Sequence, residues 1–390
     1  MIAAIIFFTA LALIVYTWIG YPVLAWLLSL VMGRPVRKAA ITPRVSIIIA
    51  AYNEERDLAE KLDNTLALDY PPEQLEIIVA SDCSTDRTDA IARSYAGRGV
   101  RLHRQAHRRG KTVAQHQAVS LSSGEILVFS DATTLYEQSA LRHLVSNFAD
   151  TQVGCVSGQL IYASRAASST GRGCRSYWGY EKTLRRIESR LGSLIGVSGC
   201  LYAVRRSSYT RLSREMIDDF VIATEIHQQR LRTVFEPQAV AFEEPNKRTR
   251  NEFSMRVRII EQTLRALAGY REALQWRRGA LFAWQMFSHK RLRYLVPFCL
   301  LALLAASLFL LNDGWFYQFA LLGQCGFYLL ALAGWLCERA GVKAGVLALP
   351  AYFVLANVAS LAAYLKYFRG EAFVIWQPLR ESRLPQTEQS

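Results

Sequence analysis

The sequence predicts an α/β domain with a mostly parallel sheet, flanked by apolar segments that are long enough to cross a membrane. Three short apolar runs predict buried strands, at residues 45–51, 76–81 and 126–129. Each run ends beside an acid, and these acids are Glu54, Asp82 and Asp131. Because ligands of open α/β sheets bind beyond the carboxyl ends of the strands, we expect the three acids to surround one site.

Composition favours a membrane protein over a nucleic-acid-binding protein. The 390-residue chain combines a net charge of +14 with 52% hydrophobic residues, and its basic residues gather near the apolar segments. This is the pattern that the positive-inside rule expects of a basic cytoplasmic side. The seven cysteines include no CxxC pair and no Cys/His cluster. They predict reduced thiols, and neither a disulfide framework nor a zinc site.

The amino-terminal segment, residues 1–33, predicts a transmembrane helix. It is longer than the ~20 residues that span a bilayer. No basic stretch precedes it, which argues against a cleavable signal peptide. Arg34, Arg37 and Lys38 follow at once and place the next domain in the cytoplasm.

Residues 42–246 alternate between predicted strands and helices, as βαβ units do. Further strands are expected at residues 100–103, 197–204, 233–235 and 239–242. Asn53 is expected to cap the helix after the first strand, and Gly110-Lys111 to open another.

The remaining chain predicts amphipathic interface helices at residues 247–293, three transmembrane helices at 294–366 and a polar tail at 367–390. One crossing before the domain and three after it would put the tail outside. Lys366 and Arg369 favour the inside instead. Either the first apolar stretch is not a simple span, or one later segment is re-entrant.

Six motifs in order resemble the family 2 glycosyltransferases with a Rossmann-like GT-A fold. They are VSIIIAAYNEE, SDCSTDRT, RRGKTVAQHQA, FSDATT, VSGCLYAVRR and DDF, over about 200 residues. Flanking membrane helices are also found in the membrane-embedded members, which are similar to poly-N-acetylglucosamine, hyaluronan and cellulose synthases.

The resemblance implies a donor site and an acceptor site. On the donor side, Glu54 and Asp82 would contact the base and the ribose, and the uracil pocket would be shaped by Ala51, Tyr52 and Asn53. Lys111 would face the diphosphate, and Asp131 would bind the metal. On the acceptor side it implies the Gly199 turn, Asp218, and Asp219 as general base.

Two motifs depart from the family pattern. The second acid of the Asp-X-Asp metal motif is replaced by Thr133. In the Gln-X-X-Arg-Trp motif of processive members only the arginine remains, as Arg258, and Met255 and Ile259 replace the other two residues. Arg258 could still clamp a diphosphate, but the lost tryptophan weakens the case for long-chain synthesis.

Structural roles are open for several of these residues. Glu54 could be a first-turn helix acid, Asp82 a turn residue, Lys111 a solvated lysine and Arg258 a membrane-surface cation. Asp218 and Asp219 could cap a helix. A Walker A loop is excluded, because Gln105 stands where its first glycine is required.

The resemblance therefore implies an inverting transferase that uses Mg²⁺ or Mn²⁺ and moves a sugar from a UDP-sugar to a membrane-associated acceptor. The acceptor would be a growing polysaccharide or a lipid-linked glycan, and the other partners would be membrane lipids, with no nucleic acid. The expected location is the plasma (inner) membrane of a bacterium, with the catalytic domain in the cytoplasm. Two alternatives are a single-sugar transfer to a lipid and a non-catalytic sugar-nucleotide-binding subunit of an export complex.

Overall fold

The structure is a computed structural model that describes residues 1–162, 169–212, 217–244, 249–270 and 276–371. Most of the predicted tail, residues 372–390, lies outside the described residues.

An eight-stranded sheet forms the centre of the described chain, in the order β3-β2-β1-β4-β7-β6-β8-β5. The strands are β1 (Val45–Ala51), β2 (Leu75–Ser81), β3 (Val100–Arg104), β4 (Ile126–Asp131), β5 (Leu135–Tyr136), β6 (Val153–Tyr162), β7 (Leu201–Arg205) and β8 (Arg232–Glu243). Strands β1 to β4 pair in parallel, as do β6 and β8. The carboxyl ends of β1, β2 and β4 therefore share one edge of the sheet.

Three details of the sheet differ from the sequence-based expectation. Strand β7 is antiparallel to β4 and begins only at Leu201, so residues 197–200 lie before the strand and end in a turn at Gly199 and Cys200. The predicted strands at 233–235 and 239–242 are one strand, β8, whose pairing with β6 shifts register around Pro237. A bulge of this kind accommodates a proline, which cannot donate a ladder hydrogen bond. Strand β6 was not predicted at all.

Helices cover both faces of the sheet, because alternate residues of a strand point to opposite sides. The helices of this domain are α3 (Leu58–Leu66), α4 (Thr88–Ser94), α5 (Lys111–Leu121), α6 (Ala140–Ser146), α7 (Ser169–Leu191) and α8 (Asp218–Gln228). Ile47 and Ile49 lie in the apolar cluster with α3 and α6, and Ile48 lies in the cluster with α5 and α8. Helix α3 begins at Leu58, so the prediction that Asn53 caps it is wrong; Asn53 has a left-handed φ of 55°.

Four described helical segments are long and apolar enough to cross a membrane: Ile2–Met32, Gly279–Phe309, Trp315–Arg339 and Gly345–Phe368. They contain α1 (Ile2–Val15), α2 (Tyr21–Met32), α11 (Arg293–Phe309), α12 (Trp315–Arg339) and α13 (Ala348–Phe368). Helix α9 (Thr249–Gly269) follows the sheet domain, and α10 (Trp276–Gln285) overlaps the start of the segment Gly279–Phe309. A π-helical turn, Tyr16–Gly20, joins α1 to α2 just before Pro22.

A buried polar network joins the first apolar segment to the sheet domain. His289 lies between Glu188 and Glu181 of α7, at 2.7 and 3.1 Å, and Arg293 contacts Glu181 at 2.9 Å. The hydroxyl of Tyr21 donates a hydrogen bond to Glu188. Burial raises the pKa of Glu181, but His289 and Arg293 outweigh it and hold that pKa well below its usual range. The network thus ties α2, α7 and the start of α11 together.

Helix α13 lies alongside α9 over most of its length. Near its start, the Tyr352 hydroxyl donates to Glu252 at 3.0 Å. Its middle packs Ala359 and Ala363 against the apolar side of α9. Just beyond its end, the carbonyl of Glu371 accepts a hydrogen bond from Arg265 at 3.0 Å. Both ends of α13 therefore lie next to α9.

We expect α13 to lie along the membrane surface, so that the residue after it faces the same side as the sheet domain. Cysteines introduced singly as Arg369→Cys, Glu60→Cys and Asp313→Cys, without the seven native cysteines, would be labelled in sealed vesicles with an impermeant maleimide. Positions 369 and 60 should be labelled from one side and position 313, in the α11–α12 loop, from the other. Labelling of 369 together with 313 would instead show that α13 crosses the bilayer.

Candidate active site

The loops after β1 and β2 are fastened to each other. The side-chain oxygen of Asn53 accepts a hydrogen bond from the backbone of Thr85 at 2.7 Å, and its own N–H donates to Ser84 at 3.0 Å. The N–H of Glu54 donates to Thr88, and the Glu54 side chain is buried.

Ala51 ends β1 and Tyr52 follows it, with the Arg108 guanidinium 3.7 Å from the ring centroid of Tyr52. The residues predicted to bind the donor base therefore share one corner of the sheet edge.

Asp82 holds the loop that precedes Lys111. Its carboxylate, which is 2% exposed, accepts hydrogen bonds from the Gln105 side chain and from the N–H groups of Arg109 and Gly110, at 2.8–3.1 Å. Gly110 has a φ of 96°, which only glycine adopts without strain. Burial raises the pKa of Asp82, and the backbone N–H groups oppose that rise. Asp82 thus stabilises the turn that positions Lys111.

Lys111 connects the donor and acceptor sides of the site. Its Nζ lies 2.6 Å from Asp131 Oδ1 and 3.9 Å from Asp218 Oδ2, and it donates to the Gly199 carbonyl at 3.3 Å. Burial disfavours the charged amine, but Asp131 and Asp218 outweigh burial and raise the pKa of Lys111 above its usual value. Lys111 is therefore a partly buried, permanently charged cation and is not a solvated surface lysine.

Asp218 and Asp219 form the first turn of α8. The N–H of Asp219 donates to the Asp218 side chain at 3.0 Å, and the Asp219 carbonyl accepts from Val197 at 2.7 Å. A Cβ on Gly199 would lie 3.7 Å from Asp219 Oδ2, so the glycine turn faces this carboxylate directly. The structure thus places the three predicted acceptor-side residues together.

The pKa of the Asp219 carboxyl is raised by its surroundings. Burial, followed by the neighbouring charge of Asp218, raises its pKa to about 6. Three cations act in the opposite direction: Lys290, Lys111 and Arg185. A carboxylate with a pKa close to the working pH is a better general base than an ordinary aspartate.

The two arginines of α9 face different surroundings. Burial lowers the pKa of Arg258, and the charges of Asp131, Asp219 and Asp218 oppose this, so Arg258 belongs to the acidic site. Arg256 forms an ion pair with Glu252 at 2.9 Å and a hydrogen bond with Tyr352 of α13. Arg258 therefore faces the acids of the site, and Arg256 faces Glu252 and α13.

Sequence reasoning missed three residues that the fold brings to this site. Glu243 ends β8, where its side chain accepts a hydrogen bond from the Thr133 hydroxyl at 3.3 Å. Burial and then the charge of Asp131 raise the pKa of Glu243 to about 7. Lys290 belongs to a π-helical turn, Met286–Leu292, and no local motif marks it.

The third missed residue is Lys61 of α3, which is fully buried. Its amine donates to the Thr134 carbonyl at 2.7 Å and lies 3.6 Å from the ring centroid of Tyr136. Burial lowers the pKa of Lys61 to about 7. The interaction holds the turn after Asp131. A Lys in an amphipathic helix normally lies in solvent, so the pattern concealed this role.

The residues at the end of β4 fit a divalent cation that a diphosphate helps to bind. Within the described chain, no three His, Cys, Asp or Glu residues form a group that could hold a metal alone. Asp131 nevertheless offers hard carboxylate oxygens at the sheet edge. Mg²⁺ usually takes one or two protein carboxylates, and substrate phosphates and water supply the rest. The donor set is consistent with that kind of site.

Comparisons with known proteins agree with this geometry. Residues 46–212 match the family described as Glycosyl transferase family 2. An N-acetylglucosaminyltransferase from Azorhizobium caulinodans is 30% identical over 181 residues, which is 45% of each chain. A poly-beta-1,6-N-acetyl-D-glucosamine synthase from Staphylococcus aureus is 24% identical over 204 residues, 51% of this chain and 49% of that protein. The chain thus spans about half the length of these relatives.

One solved structure resembles nearly the whole chain. It is a mannosyltransferase from Pyrobaculum calidifontis in complex with GDP-Man and Mn²⁺, with a TM-score of 0.70 and 26% sequence identity. The similarity covers 93% of this chain and 99% of that one. It therefore extends beyond the sheet domain to the apolar helices.

Proposed function

We propose that this chain, whose residues 46–212 form a family 2 glycosyltransferase domain with the GT-A fold, transfers a sugar to an acceptor held at the membrane. The donor is a nucleotide-diphosphate sugar, and the transfer inverts the anomeric configuration. One observation carries this proposal. Lys111 contacts both the donor-side Asp131 and the acceptor-side Asp218. The groups for the leaving diphosphate and those for the acceptor therefore flank a single reaction centre.

Departure of the diphosphate requires positive charge beside its oxygens. Lys111 forms an ion pair with Asp131 at 2.6 Å, and the charge of Asp131 also acts on Arg258. A divalent ion on Asp131 would add Lewis-acid neutralisation of the same leaving group. UDP-sugars are the donors that the sequence motifs favour, and the Mn²⁺ in the mannosyltransferase structure supports a divalent ion.

Activation of the acceptor is assigned to Asp219. The carboxylate lies beside the Gly199 turn, which leaves space for a hydroxyl group to approach. Asp219 would remove the hydroxyl proton as the oxygen attacks the anomeric carbon opposite the diphosphate. A single displacement of this kind inverts the anomeric configuration. Asp218 positions the loop through the Asp219 N–H.

A lipid-linked acceptor is favoured by a cavity of about 450 Å³ at the start of α9. Its walls are mostly apolar side chains of α9, α12 and α13, among them Phe253, Leu332 and Val354. Thr249, Arg250 and Glu338 line it as well, and the Thr249–Glu338 hydrogen bond marks one end as polar. Arg250 precedes Arg258 by roughly 12 Å along the helix axis, at 1.5 Å per residue. An amphiphile in this cavity would thus present its polar end toward the reaction centre.

The proposal is tested with the full-length chain in lipid nanodiscs, Mn²⁺, and UDP-GlcNAc, UDP-glucose or GDP-mannose. We expect nucleotide diphosphate release that increases when membrane lipid extract is added, and a product one sugar heavier than a lipid. Val354→Trp, which fills the cavity, should raise the KM for the lipid ~10-fold or more without changing donor hydrolysis. Leu349→Trp, exposed on the same helix and outside the cavity lining, is the control. Absence of release with every donor would contradict the proposal, and a long polymer would contradict the lipid product.

Asp219→Asn keeps the side chain's size but cannot accept a proton. We expect it to bind UDP and Mn²⁺ about as well as the parent and to lose transfer by ~100-fold or more. Because the base must be ionised, parent kcat should fall as the pH drops below about 6, the raised pKa of Asp219. Single-turnover transfer and calorimetric donor binding measure the two effects. Asp218→Asn should be milder, and a parallel loss of binding and transfer in Asp219→Asn would remove Asp219 from the base role.

Arg258→Ala and Arg256→Ala form a matched pair on one helix. Loss of a charge-assisted contact to the leaving diphosphate costs roughly 2–4 kcal/mol, so Arg258→Ala should lower kcat by ~30- to 1,000-fold. Arg256→Ala removes contacts to Glu252 and α13 and should chiefly lower the unfolding temperature. Equal and small effects on kcat would show that Arg258 is only a membrane-surface cation.

A further inference from the structure

The metal motif of this chain is incomplete in sequence but has an acid beside it in space. Thr133 is neutral where the motif's second acid is expected. Strand β5 pairs antiparallel with the end of β8, with Leu135 opposite Phe242. Because of this pairing, the turn after Asp131 lies beside Glu243, the last residue of β8. The Thr133 hydroxyl then donates to the Glu243 carboxylate at 3.3 Å.

Within the part of the chain that the structure describes, the Glu243 carboxylate takes part in no ion pair. The nearby cation, Lys111, pairs with Asp131 and Asp218 instead. Two carboxylates that share a partly enclosed site repel each other unless a cation lies between them. A divalent cation bound by both would remove the repulsion.

We propose that Glu243 provides the second protein carboxylate for the divalent cation, in place of the acid that Thr133 replaces. Asp131 is the first ligand, and Thr133 orients Glu243 through its hydroxyl. Two carboxylates from different strands, completed by diphosphate oxygens and water, satisfy the octahedral preference of Mg²⁺ and Mn²⁺. The inference rests on the proposed function, since the diphosphate belongs to the donor.

The alternative is that Glu243 only fastens the turn after Asp131. That role needs a hydrogen-bond acceptor at position 243 and no charge, so Gln would preserve it. The metal role needs the carboxylate itself. Glu243→Gln therefore separates the two roles, and Glu244→Gln is a matched control because Glu244 is adjacent and exposed.

The experiment measures Mn²⁺ binding directly, by the electron paramagnetic resonance signal of free Mn²⁺, with the full-length chain in detergent and saturating UDP. Loss of an outer-shell partner of a metal ligand already costs ~10- to 100-fold in metal affinity. We expect at least that loss for Glu243→Gln and none for Glu244→Gln. Thr133→Asp in the Glu243→Gln background should restore most of the affinity, which also shows that the variant is folded.

The outcomes distinguish the inference from the function on which it rests. Unchanged Mn²⁺ affinity in Glu243→Gln, with normal binding by the parent, would overturn the role of Glu243 and leave the transferase proposal intact. If the parent protein failed to bind Mn²⁺ in the presence of UDP and also in the presence of GDP, both the role of Glu243 and the transferase proposal would be overturned. Equal weakening in Glu243→Gln and Glu244→Gln would indicate general electrostatics and would also refute a ligand role.

Discussion

The concentration of carboxylates at one edge of the sheet is the constraint that the rest of the structure satisfies. Asp131, Asp218, Asp219 and Glu243 converge there. Burial and the neighbouring carboxylates raise the pKa values of Asp219 and Glu243. Lys111 is the cation that contacts both sides of the group. Its position depends on a loop whose hydrogen bonds end on Asp82. Asp82, after β2, therefore influences Asp131, after β4, through Arg109 and Gly110, the two residues that directly precede Lys111.

The membrane segments complete the same charge balance. Arg258 comes from α9, and Lys290 comes from the π-helical turn that precedes α11. The turn also carries His289, which two buried glutamates of α7 hold in place. Removing one partner of such a network leaves an uncompensated buried charge and costs several kcal/mol. Lys290 is adjacent to His289 in this turn and its charge acts on Asp219, so the packing of the apolar helices contributes to the electrostatics around Asp219.

The sequence predicted the features that are local along the chain. The short apolar runs predicted strands that end beside acids. The parallel pairing of β1 with β2 and β4 places Asp82 and Asp131 at one edge of the sheet, as expected. Glu243 could not be predicted in this way, because it reaches Thr133 through pairing of strands about a hundred residues apart. The burial of Lys61 could not be predicted, because the sequence pattern of α3 is that of an amphipathic helix with its lysines in solvent. Strand β6 escaped because glycine and serine interrupt its apolar pattern, although the sheet buries most of it. The misses are non-local pairings and polar groups whose burial only the tertiary structure creates.

The arrangement of the apolar helices also bears on the product. If α13 lies beside α9 along the membrane surface, the segments Ile2–Met32, Gly279–Phe309 and Trp315–Arg339 are the described ones that cross the bilayer. Phe7 fills the space between the first two, against Ala306 and Leu310, and its ring contacts Tyr317 with a centroid separation of 5.2 Å. Apolar contacts of this kind anchor a domain, and they support the proposed lipid product more than the export of a polysaccharide between these helices. A lipid product would need no polar path, because it would leave sideways into the membrane. Met255 and Ile259 support the same proposal, because they stand where processive relatives carry the glutamine and tryptophan of the Gln-X-X-Arg-Trp motif.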